Sequence, residues 1–140
     1  MALQATGYKI LLVDDDPLSV ELLRDLLAWH GIAVVHAPAA EEGLALAARE
    51  RPDLVMIDLS LPGMNGLDAT RLLKQDPATR RVPVVMVSAR AMKGDRQAAL
   101  AQGCDAYLTK PLDTRTLAGE ILALLRAGGG PRRPPPAGHA

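Results

Sequence analysis

The sequence predicts an α/β fold: a five-stranded parallel sheet with helices on both faces. Three observations carry this expectation. Short apolar runs alternate with helical patterns five times along the chain. Three of the runs, KILLVD, DLVMID and VPVVMVS, are near-continuous in apolar residues rather than alternating, as strands covered on both faces are. A βα order repeated in this way calls for parallel pairing through right-handed crossovers.

The elements follow in order. The first strand, KILLVD at 9–14, leads into a helix over 17–30. Its Leu18, Leu22 and Leu26 form one stripe, and Glu21, Arg24 and Asp25 another. Asp16 before Pro17 reads as a cap followed by the first helical position, and Gly31 as the stop. A weaker strand, IAVVHA at 32–37, precedes a helix over 39–50 that Pro52 ends. The third strand, 53–58, is followed by a helix over 67–75, ended by Pro77. The fourth strand, 82–88, leads to an Ala-rich helix over 95–102 with little apolar weight, expected to be loosely held. The fifth strand, AYLTK at 106–110, leads to a helix over 114–126 with Leu117, Ile121, Leu124 and Leu125 on one face. The remaining GGGPRRPPPAGHA is Gly/Pro-rich and aperiodic. One folded unit at 7–127 and a disordered tail at 128–140 are therefore expected.

Composition narrows the function classes. The 140 residues suit one domain, and the 49% that are hydrophobic suffice for a core. With no Phe, one Trp and two Tyr, that core must be aliphatic. Sixteen basic residues balance sixteen acidic ones, which gives no support to general nucleic-acid binding. The single Cys104 cannot form an internal disulfide, so a cytoplasmic location is the default. The opening MALQATGYK lacks the apolar run of a signal peptide, and no stretch approaches the roughly 20 residues of a membrane span. No membrane partner is expected.

Chemistry gathers at the strand ends. In open parallel sheets, ligands sit beyond the carboxyl ends of the strands. Asp14 and Asp15 end the first strand, Asp58 the third, Ser88 the fourth and Lys110 the fifth. Ionised carboxylates held this close repel one another, and a divalent cation relieves the repulsion. Asp16, as the helix cap, is set apart from this group. His30 and His36 read as structural, Cys104 as a packed turn residue, and Arg132 and Arg133 as solubilising.

LLVDDDP, VMIDLSLPGMNG, VVMVSA and YLTKP together resemble the successive signatures of bacterial two-component response-regulator receiver domains, over about 8–126. AMKGD and GCDAYLTKP further resemble the stand-alone, DivK-like type and the receivers of hybrid kinases. The resemblance implies a doubly wound, flavodoxin-like sheet of order 2-1-3-4-5. It implies a Mg²⁺ (or Mn²⁺) site at Asp14, Asp15, Asp58 and the Ser60 backbone carbonyl. Asp58 would accept a phosphoryl group from a sensor histidine kinase or a histidine phosphotransfer protein. Lys110 would supply positive charge, and Ser88 a hydrogen bond, to the phosphoryl oxygens. Ser88 and Tyr107 would form a switch pair, and a cis Lys110–Pro111 peptide would aim the lysine inward.

The implied output is a contact with a downstream protein partner, through the face of the fourth helix, fifth strand and fifth helix. The chain would act as a monomer or weak dimer. It would assist its own phosphorylation and dephosphorylation without being an enzyme. Two rivals remain open on the sequence. One is an aspartyl-phosphate phosphatase of haloacid dehalogenase type, with Asp14 as nucleophile and Asp16 as acid. Its further acidic motif is missing, since only Asp113 and Glu120 follow Lys110. The other is a binding-only pseudo-receiver, which the full set of acidic, hydroxyl and lysine positions disfavours.

Overall fold

The structure is a computed structural model that describes residues 7–89 and 93–128. The tail expected at 128–140 lies outside the described residues except for Gly128, and so do Ala91 and Met92 of AMKGD. The elements alternate as expected: β1 (Lys9–Val13), α1 (Pro17–Trp29), β2 (Ala33–Ala37), α2 (Ala40–Glu50), β3 (Leu54–Asp58), α3 (Gly66–Gln75), β4 (Val84–Ser88), α4 (Lys93–Ala101), β5 (Ala106–Thr109) and α5 (Thr114–Ala127). All strand pairs are parallel, in the order β2-β1-β3-β4-β5. The order reverses beside β1, so the crevice of the switch point opens beyond β1 and β3.

Successive strand residues point to opposite faces, and both faces are covered. One layer joins Leu11, Val13, Val55, Ile57, Val84 and Met86 to α2, α3 and α4 through Ala47, Leu73 and Ala99. The other joins Ile10, Leu12, Leu54, Met56 and Val87 to α1 and α5 through Leu23, Leu27, Leu117, Ile121 and Leu125. This is why the strands read as unbroken apolar runs: neither side can be polar. In α4, Ala99 is buried while Leu100 is exposed, which leaves that helix few apolar anchors among its described side chains.

Two expectations need correction. The stripe of Leu18, Leu22 and Leu26 is not the buried face of α1. Leu18 is 77% and Leu22 54% exposed, Leu26 is half-buried, and the helix instead buries Val20, Leu23 and Leu27. The segment carries two apolar stripes, and at 100° per residue Leu18 lies nearly opposite Val20. Asp16 caps the helix where it leaves β1, and the side that faces the sheet carries Val20, Leu23 and Leu27. The second correction is smaller. β1 ends at Val13 and β5 at Thr109, so Asp14 and Lys110 are each the first residue past their strand. Each still adds a half-rung through its N–H, Asp14 to the Ala37 carbonyl at 3.1 Å and Lys110 to the Ser88 carbonyl at 2.7 Å.

The rotation of α1 can be tested by paired truncations. Leu27→Ala should cost about 2–5 kcal/mol in urea unfolding, the range for emptying a core site. Leu22→Ala should cost less than about 1 kcal/mol, as for a surface change. Equal losses would contradict the burial of this helix.

Candidate functional site

The loop after β3 is built to hold one carboxylate steady. Leu59 and Leu61 are buried and pin it to the core, while Ser60 between them is exposed. Gly63 turns the chain in the left-handed region at φ +74, and Asn65 caps α3 by accepting the Asp68 N–H at 2.9 Å. Gly66 then starts α3 against Asp58 itself: a Cβ there would lie 2.6 Å from the Asp58 carbonyl oxygen and 2.9 Å from Met86 Sδ. Only glycine allows that approach. Asp58 Oδ1 accepts the Ser60 N–H at 2.9 Å.

Lys110 ties this carboxylate to the end of β1. Its Nζ donates to Asp58 Oδ2 at 3.1 Å and to Asp14 Oδ2 at 3.5 Å. The other oxygen of Asp14, Oδ1, accepts the Asp16 N–H at 2.9 Å. Asp14, Asp15 and Asp58 each bring a carboxylate oxygen to within 4.8 Å of the others. Asp14 and Asp58 are buried, whereas Asp15 is exposed. Asp16 stands apart, as expected. Its oxygens take the Leu18 N–H at 3.1 Å and the Ser19 hydroxyl at 2.9 Å.

Electrostatics follow from burial. Desolvation pushes the Asp14 carboxyl above its usual range, and the charge of Asp58 adds to this. The Asp16 N–H and Lys110 offset part of it. For Lys110 burial alone would lower the ammonium, but hydrogen bonds and charges from Asp58 and Asp14 outweigh it and hold it above the ordinary lysine range. Expectation assigned the repulsion broadly to the three acids. At Asp14 the larger cause is desolvation, with repulsion from Asp58 the smaller.

The remaining expected residues lie nearby. Ser88 is fully buried at the end of β4, one position past Val87, the register partner of Asp58. Lys110–Pro111 is cis. Tyr107, opposite Met86 in the sheet, packs in the same apolar cluster as Ala99 of α4 and Cys104. Cys104 is a buried residue after α4, as expected. Sequence reasoning missed one residue. His36, taken as a plain strand residue, sets Nε2 2.8 Å from the Asp14 backbone oxygen. Its proximity depends on a strand register that no local pattern announces.

A divalent cation fits this donor set. Hard carboxylate oxygens, one of them buried at a cost in its charged form, are what Mg²⁺ takes in small number while keeping several waters. Residues 10–122 match the response regulator receiver domain. The chain belongs to the response regulator receiver family. It is 41% identical over 117 residues to the protein PilH of Pseudomonas aeruginosa, covering 84% of this chain and 97% of that one. It is 40% identical over 103 residues to the polar-differentiation response regulator DivK of Brucella anthropi, covering 74% and 84%. A CheY-like receiver domain protein from Methanospirillum hungatei superposes with a TM-score of 0.82 at 29% identity, covering 88% and 97%. The receiver domain of the Pseudomonas aeruginosa sensor histidine kinase PA1611, solved with a magnesium ion coordinated in its active site cleft, does so at 0.79 and 30%, covering 86% and 99%.

This receiver therefore serves two-component signalling as a phosphoryl-accepting regulator rather than a metabolic enzyme. Receivers bind Mg²⁺ at an acidic site and work with histidine kinases and downstream proteins. The phosphatase alternative is not favoured: the family is that of a receiver, and Asp16, its proposed acid, is occupied as a cap. Among the described residues no helix is long and apolar enough to cross a membrane.

The raised Asp14 carboxyl gives a signed prediction. The folded chain holds this proton more tightly than the unfolded chain, so ionising Asp14 costs stability. The cost is absent below the unfolded value of 3.8, grows as pH rises toward the raised folded value, and persists above it. Asp14→Asn should therefore raise the melting temperature by a few degrees at neutral pH in magnesium-free buffer. The gain should vanish as pH falls toward 3.8. A lower melting temperature at neutral pH would contradict it.

Proposed function

We propose that Asp58 is the phosphoacceptor of this receiver and that Asp14, Asp15, Asp58 and the Ser60 carbonyl hold Mg²⁺ or Mn²⁺. One observation carries this reading. Asp58 is a carboxylate at the end of the central strand β3, gripped on one oxygen by the Ser60 N–H and on the other by Lys110, inside a cluster of oxygen ligands. An Asp58 oxygen forms the new O–P bond while the P–N bond to a donor histidine breaks. The electron pair stays on the imidazole, which takes up a proton. The product is an aspartyl phosphate. The bound cation supplies charge neutralisation for the acids and the phosphoryl oxygens.

Lys110 then has a second use. Its ammonium, held between two carboxylates, is within reach of an oxygen carried on Asp58 and offers it a point positive charge. Ser88 donates a hydrogen bond to another phosphoryl oxygen, and the Tyr107 ring responds to that movement through the packing it shares with α4. The chain in this way assists its own phosphorylation and dephosphorylation. The donor histidine belongs to a sensor histidine kinase or a phosphotransfer protein. Leu18 and the half-exposed Leu22, which lines a groove with Lys110 and Pro111, give such a protein apolar surface beside the site. The signal leaves by protein contact on the α4–β5–α5 face, in the cytoplasm, from a monomer or weak dimer. The receiver unit spans 7–127, and 128–140 takes no part in the chemistry.

Labelling tests this directly. With acetyl phosphate and Mg²⁺, intact-mass analysis should find one added phosphoryl group on the wild type and none on Asp58→Asn. A chain ended after Ala127 should label at the wild-type rate. Undiminished labelling of Asp58→Asn would remove Asp58 from this role.

A further inference from the structure

Past the last rung of a parallel pair, a carbonyl would next be met by an N–H of the neighbouring strand. Asp14 keeps to this pattern on its N–H side, donating to the Ala37 carbonyl at 3.1 Å. Its carbonyl has no such continuation. β2 ends at Ala37, Pro38 has no N–H, and Ala39 is already the N-cap residue of α2. The His36 side chain takes that place, with Nε2 2.8 Å from the Asp14 oxygen. A carbonyl only accepts, so Nε2 carries the proton and donates. His36 is paired with Leu12 and is half-buried, at the edge of a groove that Asp15 also lines.

The carbonyl in question belongs to the peptide that joins Asp14 to Asp15. That plane contains the Cα atoms of both acids, so anchoring its carbonyl oxygen limits how far either Cα can shift. On its carboxylate side Asp14 is held by the Asp16 N–H and by Lys110. On its main chain the carbonyl is held by His36. We infer that His36 is a positioning residue for the cation site: its Nε2–H fixes the peptide plane from which the Asp14 and Asp15 carboxylates reach the metal. The inference rests on the metal site proposed above and adds an outer partner to it, a class of contact that tunes affinity without touching the ion.

The test compares His36→Leu, which removes the donor, with His36→Gln, whose amide N–H has a similar reach, in the full chain. The reading is the melting temperature across a Mg²⁺ series, with acetyl phosphate labelling across the same series. His36→Leu should raise the half-saturating Mg²⁺ concentration about five- to tenfold, and His36→Gln should return it to within about twofold of wild type. Labelling should shift along the Mg²⁺ axis by the same factor. If His36→Leu does not fold, His36→Asn, whose shorter amide falls short of the carbonyl, takes its place against His36→Gln. A variant that melts lower without Mg²⁺ yet half-saturates at the wild-type concentration would reduce His36 to a packing residue and overturn the inference alone. A wild type whose melting does not respond to Mg²⁺ would overturn the metal site itself, and the inference with it.

Discussion

One ammonium between two buried carboxylates organises this end of the molecule. Lys110 reaches Asp58 and Asp14, residues 52 and 96 positions away in the chain. Nothing local brings them together. β5 must pair with β4, β4 with β3 and β3 with β1 before the three side chains share a rim. The fold therefore assembles the charge cluster as a consequence of strand order, and the apolar runs that drive that order carry its chemistry only at their ends. The main-chain bond from the Lys110 N–H to the Ser88 carbonyl is the last link, since it aligns the base of the lysine with the end of β4.

Such a cluster costs the folded state. A buried carboxylate gives up hydration that a neighbouring charge repays only in part, and Asp14 is where that deficit shows. Lys110 offsets it for two acids at once, which leaves the site held together yet short of positive charge. That shortfall is a chemical property: it favours a divalent cation, and it disfavours leaving the acids without one. Sites of this kind keep local strain because function needs it, with stability supplied elsewhere. Here the two apolar layers supply it, through fully buried residues such as Ile57, Met86, Leu27 and Ile121.

Much of this was legible in the sequence, and the reasons differ by residue. Asp58, Ser88 and Lys110 could be placed because strand ends are set by where apolar runs stop, and the sheet brings strand ends together. Asp16 could be separated from Asp14 and Asp15 because Pro17 fixes a helix start, which needs a cap. The packing of α1 was misjudged because two apolar stripes run along one helix, and hydropathy alone does not say which of them faces the sheet. His36 could not be read as anything but a strand residue. Its partner is a main-chain oxygen just past the end of β1, and the register Leu12↔His36 brings the two to 2.8 Å. The last residues of β1 and β5 were off by one because a single main-chain bond continues each ladder past its final full rung.

The central claim is that Lys110 is held charged between Asp14 and Asp58. Its most direct test is an NMR titration of the Lys110 side chain in magnesium-free wild type, Asp14→Asn and Asp58→Asn. A lysine that gains two carboxylate partners on folding contributes stability that is present below the unfolded value of 10.5 and lost as pH rises through the higher folded value. The wild-type Lys110 should titrate above 10.5, and each substitution should bring it down. A Lys110 that titrates at or below 10.5 in the wild type, unmoved by either substitution, would contradict the account.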